Sequence, residues 1–285
     1  MSVLAFFLVL AAAFCHATWN FFVKRINGGP ELVWLFSVVA SIVYLPAAVY
    51  ILLTVDHTWT ALDVIFIVGS TALHLGYFLL LQAGYRHGDL SLVYPTARST
   101  GPLLSVGFAV LVLGEAISVQ IAIGAVIIIF GVISLTGGFK QKSDKLTKSL
   151  LFGVGTGIFI GAYTVWDAHA VATLLIPPLL LDYATILCRM VIMMPYGIRR
   201  MEKVRGYWRD HRTAVLVVAI FSPLAYILVL YAMAFTPVVY IAPIRESSVV
   251  ITVLMGSILL GEGDLPRRLF WASIILIGVA LLATG

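Results

Sequence analysis

Apolar residues run along the chain in long blocks that are interrupted at short intervals. A transmembrane helix needs about 20 predominantly apolar residues to cross about 30 Å of hydrocarbon. The first block begins at Val3 with no basic residue before it, so we expect a retained helix rather than a secretory signal. The connections are short and leave little room for a soluble domain. The pattern predicts ten transmembrane helices: 3–23, 32–53, 64–84, 91–113, 119–138, 149–171, 179–198, 213–234, 239–260 and 269–284.

Composition agrees with this pattern. The chain has 285 residues, of which 61% are hydrophobic and 11% charged, and its mean hydropathy is +1.07. Soluble domains have about 45–50% apolar and about 25% charged residues, so an ordinary soluble domain is excluded. Cys15 and Cys188 both lie inside apolar blocks without metal-ligand spacing, and we interpret them as packing residues. The composition indicates an all-α integral membrane protein.

Basic residues are confined to alternate connections. Fifteen of the 18 lysines and arginines lie in the first, third, fifth, seventh and ninth connections, and the other connections carry none. Short loops rich in lysine and arginine stay cytoplasmic. This predicts a multi-pass protein of the plasma (inner) membrane with both termini outside. The formal charge of +5 then reflects topology rather than nucleic-acid binding, and the expected partner of the basic loops is the anionic inner leaflet.

The second half of the chain repeats the first. A shift of 149 residues places Tyr77 on Tyr226, and a shift of 147 gives several more matches: Arg98 with Arg245, Trp19-Asn20 with Trp166-Asp167, and Gly131 with Gly278. We predict two five-helix halves, 1–139 and 149–285, joined by a basic cytoplasmic linker at 140–148. Because five is odd, the second half enters the membrane inverted. Inverted repeats are typical of secondary transporters, which hold the substrate near the midplane between the halves.

A short motif closes the corresponding helix of each half: Leu113-Gly114-Glu115 after the fourth helix and Leu260-Gly261-Glu262 after the ninth. Together with ten spans in two five-helix repeats, this arrangement resembles the EamA group of the drug/metabolite transporter superfamily over essentially the whole chain. The resemblance implies transport of small metabolites, among them amino acids, drugs and, in related branches, sugar phosphates and nucleotide sugars. It leaves the substrate open.

Three arginines remain at membrane depth: Arg98, Arg189 and Arg245. Each costs about 2.5–3.5 kcal/mol at a helix centre on insertion scales. Glu246 is the acid expected deep in these helices, since Asp167 and Asp182 lie nearer the outer ends. An excess of fixed positive charge predicts a substrate with a carboxylate or phosphate group, which arginine can hold through two hydrogen bonds. The structural alternative is that each arginine pairs with a buried acid and fastens helices together.

Four prolines fall inside the predicted helices: Pro95, Pro102, Pro223 and Pro243. A proline within a helix removes one backbone donor and bends the chain. In a membrane the freed carbonyls face protein or a wet cavity. Because Pro95 and Pro243 each stand just before an arginine, we predict that the four prolines are hinges in a cavity wall. The alternative is a set of kinks that only shape the bundle.

Histidines and tyrosines near the midplane complete the predicted substrate-binding set: His16, His74, Tyr77, Tyr94, Tyr163, Tyr226 and Tyr240. Hydrogen-bonded packing is the alternative for each. A histidine could also take up a proton. Glu246 is nevertheless our prediction for the proton-coupling residue, because its repeat equivalent is the neutral Ser99. Trp19 and Trp166 fall near helix ends, where an aromatic belt is expected.

These observations favour a secondary active transporter that exports small organic metabolites with a carboxylate or phosphate group, such as amino acids, by alternating access. The alternative is an exporter of drugs or cationic amines coupled to proton antiport. The chain has no Walker-type phosphate loop, so ATP is not the expected direct energy source. An enzyme is not expected, because the nearest polar cluster, His57 with Asp56 and Asp63, makes no recognisable site.

No metal, organic cofactor or nucleic-acid partner is expected. The expected partners are the small-molecule substrate and the lipid bilayer. A stripe of small residues on the sixth predicted helix favours close helix packing, within the chain or between two chains: Gly153, Gly157 and Gly161. We therefore expect a monomer, with a homodimer as the alternative.

Overall fold

The computed structural model describes most of the chain: residues 1–26, 28–87, 90–114, 116–135, 146–248, 250–251, 254–255 and 265–284. These residues form ten α-helices of eight or more residues: α1 Val3–Ile26, α2 Pro30–Thr54, α3 Ala61–His87, α4 Leu90–Leu113, α5 Val119–Leu135, α6 Leu146–Ala172, α7 Pro178–Arg199, α8 Met201–Met233, α9 Val238–Arg245 and α10 Leu265–Thr284. The predicted all-α architecture with ten helices is confirmed. Of the predicted linker, 140–145 lies outside the described residues, and 146–148 belongs to α6.

Seven of these helices are long and apolar enough to cross a membrane. They are α1, α2, α3, α4, α6, α7 and α8, while α5 and α10 contain shorter apolar segments within the described part of the chain. Large apolar side chains such as Leu53, Leu111 and Val119 are exposed on the outside of the bundle. In a bilayer such a surface faces lipid rather than water. The chain is therefore a multi-pass membrane protein.

The helix ends follow from local sequence. Gly114 adopts φ 67°, the left-handed conformation that commonly ends a helix, directly after α4. Before α3, the Thr60 hydroxyl oxygen accepts a hydrogen bond from the Asp63 amide, and an Asp63 carboxylate oxygen accepts one from the Thr60 amide. This reciprocal pair is a capping box. Asp63, which the sequence offered as part of a polar cluster with His57, is therefore a helix cap.

The seventh connection differs from its prediction. Helix α8 begins at Met201, whereas the hydropathy pattern placed its start at 213, so most of the predicted basic loop is helical. His211 interrupts the helix with φ −134° and ψ 29°. Hydropathy locates where a chain leaves the hydrocarbon, and a polar helix can continue beyond that point. At the α7–α8 junction the Glu31 carboxylate accepts a hydrogen bond of 2.9 Å from Arg200 and raises the pKa of that guanidinium.

Helix packing reflects the internal repeat. If α1 to α5 correspond to α6 to α10, the contact of α1 with α8 corresponds to that of α6 with α3, and α1 with α9 corresponds to α6 with α4. Helices α2 and α7 contact each other, as do α4 and α9, and α5 and α10. Each of these contacts therefore has a counterpart or is its own counterpart. A two-fold relation between the two halves produces this pattern.

The glycine stripe of α6 lies against α4. A Cβ atom added at Gly157 would stand 2.5 Å from Thr100 Cβ, and one added at Gly161 would stand 2.8 Å from Leu104 Cβ. On α4, a Cβ at Gly101 would stand 2.6 Å from Ile160 Cγ2. The absence of side chains at these positions allows the two backbones to approach closely. Two of the three glycines of the stripe, Gly157 and Gly161, thus pack within the chain.

Candidate functional site

A cavity of about 80 Å³ lies among helices from both halves, reaching from α1 and α3 to α9. Nine of the predicted site and hinge residues line it: His16, His74, Tyr77, Arg98, Tyr163, Arg189, Pro223, Tyr226 and Arg245. A volume of this size exceeds the space that one water molecule needs. The three arginines at membrane depth therefore line one small cavity.

Arg98 joins the fourth and ninth helical segments. Its Nη2 lies 3.0 Å from Glu246 Oε2 and donates a hydrogen bond of 2.8 Å to Ser248 Oγ. All three side chains are buried. A buried ion pair with an additional hydrogen bond fixes the positions of both partners. Arg98 thus makes the contact expected under the structural alternative, because it links two helical segments.

Arg245, the repeat equivalent of Arg98, has different surroundings. Its side chain is 6% exposed, and its guanidinium carbon lies 6.0 Å from the centroid of the Tyr163 ring. Within the described part of the chain, no carboxylate oxygen lies within 4.0 Å of it. The face of an aromatic ring attracts a cation but leaves the guanidinium hydrogen bonds unused. Arg245 therefore differs from Arg98, whose guanidinium lies beside a carboxylate.

Arg189 is held by side chains of two other helices. Its Nε donates a hydrogen bond of 3.0 Å to Ser37 Oγ on α2. Its guanidinium carbon lies 5.2 Å from the centroid of the Phe78 ring on α3 and 5.7 Å from that of Phe36 on α2. Part of the arginine still reaches the cavity. Arg189 thus has a hydrogen bond and two ring contacts but, unlike Arg98, no carboxylate within 4.0 Å among the described residues.

Two further carboxylates lie at the site. Asp182 is 7% exposed and lines the cavity, and its Oδ2 has no hydrogen-bond partner among the described residues. Asp167 is fully buried, and its Oδ2 accepts a hydrogen bond from the Tyr226 hydroxyl and lies 3.0 Å from His74 Nε2. The sequence placed Glu246 deep in the helices and Asp182 nearer an outer end, yet Asp182 lines the same cavity as the three arginines. Distance along a helix was a poor guide because it ignores which face of the helix a side chain occupies.

Aromatic rings form one wall of the cavity. The His74 ring stacks on Tyr163 with centroids 4.1 Å apart and meets the edge of Tyr226 at 5.0 Å. Tyr77 lies 5.8 Å from Tyr163 in an edge contact. Such arrangements are the favoured geometries of aromatic pairs. The cluster gives His74 one defined ring orientation, with Nε2 directed at a carboxylate.

Several predicted residues lie elsewhere or outside the described residues. Tyr240 does not line the cavity and packs against a buried apolar cluster that includes Leu230, Ile241 and Ile275. It precedes Arg245 by five residues, which corresponds to about 140° around a helix axis. Pro243 lies inside α9, which ends two residues later, and Glu246 follows as a turn. The side chains of three predicted residues lie outside the described residues: Tyr94, Pro95 and Pro102.

The cavity also contains polar residues that were not predicted. Asp182, Thr185, Ser222 and Trp19 line it, and the Trp19 indole donates a hydrogen bond of 3.1 Å to His16 Nδ1. The sequence held a signal for Asp182, because it precedes Arg189 by seven residues. Two helical turns separate such positions, which places them on nearly the same face.

A model described as the EamA-like transporter family matches the chain twice, at residues 3–137 and at residues 147–284. A solved crystal structure superposes on the chain with a TM-score of 0.78 and covers 98% of both chains. Its sequence identity is 14%, so it demonstrates a common fold and no more. A search among curated proteins gave no match.

Proposed function

The chain belongs to the EamA-like transporter family, and from this premise we propose that it exports a small organic metabolite bearing a carboxylate or phosphate group, such as an amino acid. Membership makes it a membrane transporter of the drug/metabolite transporter superfamily, a class without enzymatic activity. The proposed mechanism is secondary active transport by alternating access. The proposed location is the plasma membrane with both termini outside, on the strength of the charge distribution among the connections.

Arg245 is the observation that carries the substrate class. A buried guanidinium is costly in a membrane unless its donors are satisfied. Arg98 already contacts Glu246, whereas Arg245 has no carboxylate within 4.0 Å in the described part of the chain. A carboxylate or phosphate entering the cavity would supply the missing partner and could accept two hydrogen bonds from the guanidinium. Arg245 is therefore proposed as the anion-binding residue.

The small volume of the cavity supports the proposal that the helices around it move during transport. About 80 Å³ is less than the few hundred Å³ typical of pockets that enclose small ligands. Pro223 lines the cavity in the middle of α8, and Pro243 stands two residues before the end of α9. Prolines leave backbone carbonyls without an intrahelical partner, which allows a helix to bend there. We propose that these bends admit the substrate as the two halves move against each other.

A second candidate has one observation in its favour. Asp182 lines the cavity with a carboxylate oxygen that accepts no hydrogen bond from the described residues. A carboxylate of this kind would suit an ammonium group. A cationic amine would use Asp182 alone, and a zwitterion such as an amino acid would use both Asp182 and Arg245. The two candidates therefore differ in whether Arg245 is needed.

Ligand-induced thermal stabilisation of the purified protein tests the proposal. Four probes cover the relevant charges: L-serine, lactate, glycerol 3-phosphate and choline. A ligand at 100 times its Kd stabilises by about 2.7 kcal/mol. We expect at least one acidic or zwitterionic probe to stabilise the wild type and the control R209Q, whose exposed arginine pairs with Asp210 away from the cavity, but not R245Q. Stabilisation by choline alone, abolished in D182N, would favour the amine exporter. Stabilisation of R245Q equal to that of the wild type would overturn the proposal.

A further inference from the structure

Asp167 is a fully buried carboxylate beside the cavity, and the described residues place no lysine or arginine within 4.0 Å of it. Its Oδ2 is shared by the Tyr226 hydroxyl and His74 Nε2, and its Oδ1 accepts no hydrogen bond within the described chain. We propose that Asp167, His74 and Tyr226 form a proton-binding site that couples proton movement to transport. This inference rests on the proposed transport function.

The comparison with Glu246 favours Asp167 for this role. Glu246 lies 3.0 Å from Arg98, and a cation at that distance stabilises the ionised carboxylate directly. The neighbours of Asp167 are a phenol and an imidazole, both of which can be neutral. A buried carboxylate without a countercharge is costly to keep ionised, and binding a proton removes that cost. Glu246 was the sequence-based prediction for coupling, and the geometry assigns the role to Asp167 instead.

His74 provides the connection between Asp167 and the cavity. The His74 side chain is 15% exposed on the cavity wall, whereas the Asp167 side chain is 0% exposed. A hydronium ion in the cavity transfers its proton to the imidazole Nδ1, and the Nε2–H then gives its proton to Asp167 Oδ2. The imidazole returns to its neutral form, water is left in the cavity, and Asp167 becomes a neutral acid. Stacking on Tyr163 holds the ring so that Nε2 keeps facing the carboxylate.

The position of the three residues links this proton to helix movement. His74 belongs to α3 in the first half, whereas Asp167 and Tyr226 belong to α6 and α8 in the second half. Tyr226 follows Pro223 by three residues, about one helical turn. Bending of α8 at Pro223 would shift the Tyr226 hydroxyl relative to Asp167. The cost of ionising Asp167 then depends on the bend in α8 and on the position of His74 in the other half, and such a dependence is the requirement for coupling.

The repeat makes the site asymmetric. The shift of 147 residues that relates the halves places Asp167 on Asn20, after the matching tryptophans Trp166 and Trp19. Asparagine has nearly the shape of aspartate and does not titrate. One half therefore carries a group that can take up a proton where the other half carries a neutral amide. The substitution D167N reproduces the residue that the first half already has.

The electric field at Asp167 comes from groups on all helices packed around it. Helices α3, α4, α8 and α9 contact α6, and Asp182 on α7 also acts on Asp167. The charged and titratable groups concerned are His74 and Tyr77 on α3, Arg98 on α4, Tyr163 and His169 on α6, Asp182 on α7, Tyr226 on α8, Arg245 on α9, and Glu246 directly after α9. A test of Asp167 therefore has to separate its carboxyl group from those of Asp182 and Glu246.

Infrared difference spectroscopy of the full-length protein in lipid, recorded while the pH is changed, makes this separation. The carbonyl band of a protonated carboxylic acid disappears on ionisation, and no substrate is needed to observe it. We expect a band that titrates in the wild type, D182N and E246Q, is absent in D167N, and is shifted but present in D167E. D167E keeps the measurement decisive if D167N folds poorly. If no titrating band of the wild type is removed in D167N and shifted in D167E, the proposal is overturned.

Transport by proteoliposomes tests the coupling. The quantity measured is the ratio of uptake with and without an imposed pH gradient, for each of L-serine, lactate, glycerol 3-phosphate and choline. We expect a ratio above one for the wild type and R209Q with at least one probe, and a ratio near one for D167N. A ratio in D167N equal to that of the wild type would overturn the coupling role. If the wild type transports none of the four probes, the transport proposal fails, while the infrared titration still decides whether Asp167 binds a proton.

Discussion

Arg98 and Arg245 occupy equivalent positions in the two halves, yet the structure surrounds them differently. Both are buried and both line the cavity. Arg98 contacts Glu246 and Ser248, whereas Arg245 contacts the face of Tyr163. The residue after each arginine explains the difference, because Ser99 follows Arg98 and Glu246 follows Arg245. The acid of the second half contacts the arginine of the first, so Arg98 links two helical segments, whereas Arg245 is the residue that we propose for substrate binding.

The equivalent tryptophans diverge in the same way. On α1, Trp19 lines the cavity and its indole donates to His16 Nδ1 on the same helix. On α6, Trp166 stacks on Phe66 with centroids 4.3 Å apart and donates a hydrogen bond of 2.9 Å to the Phe66 carbonyl on α3. Gly69 makes room for this ring, since a Cβ there would stand 2.5 Å from it. The repeat has kept its architecture while its chemistry has become asymmetric.

The largest expected effect is on stability, and it separates the two arginines. R98Q leaves Glu246 buried without its cation, which costs about 3–5 kcal/mol for a buried pair. R245Q removes a buried charge that has no carboxylate partner in the described residues, so it should leave the thermal midpoint unchanged or raise it. Thermal unfolding of both variants in detergent checks the prediction.

The double variant R98Q/E246Q is the control for this prediction. Because it removes both charges, it should recover much of the stability lost in R98Q. Equal losses in R98Q and R245Q would contradict the different roles that the structure gives the two arginines. A loss confined to R245Q would reverse them.

Much of this fold could be predicted from the sequence, since the hydrocarbon thickness fixes helix length. All helices begin within four residues of the predicted position except α8, where a polar helix continues the membrane span. The arginines could be assigned to a common site because the repeat offset related Arg98 to Arg245 and inversion brings equivalent helices together. Helix positions and contacts between the halves can thus be predicted where the bilayer thickness or the internal repeat determines them.

The partners of the site residues could not be predicted in the same way. Asp167 and Asp182 lie near helix ends along the chain, and only tertiary packing shows that Asp182 lines the cavity and that Asp167 contacts His74 and Tyr226 on its wall. Tyr240 was predicted from its depth along the helix, but its side chain lies on a face that does not line the cavity. Depth in a bilayer follows from counting residues, whereas the direction of a side chain depends on how each helix is rotated against its neighbours.

Two adjacent serines, Ser247 and Ser248, provide a test of how Arg98 is held. Ser248 accepts a hydrogen bond of 2.8 Å from Arg98 Nη2, and Ser247 is equally buried but its hydroxyl has no hydrogen-bond partner among the described residues. A hydrogen bond to a charged group contributes about 1.5–3 kcal/mol, so S248A should lower the thermal midpoint clearly. S247A should leave it unchanged or raise it. If S247A were the more damaging of the two, Ser248 would not be what fixes Arg98.

The smallest expected effect concerns the packing that positions Arg98. Thr100, two residues after Arg98, lies against Gly157 of α6, where an added Cβ would stand 2.5 Å from Thr100 Cβ. The repeat equivalent of Gly157 on α1 is Leu10, so the approach of α6 to α4 is a feature of one half.

G157A should therefore push α4 away from α6 at a cost of about 1–3 kcal/mol, the usual range for overpacking. G107A on the same α4 is the matched control, because a Cβ there would meet nothing within 4 Å. Thermal unfolding of G157A, G107A and the pair G157A/R98Q provides the measurement. If Gly157 positions Arg98, the double variant should lose less stability than the sum of the losses in the two single variants, since the ion pair is already weakened in G157A. Full additivity would mean that the glycine contact stabilises the bundle independently of the arginine.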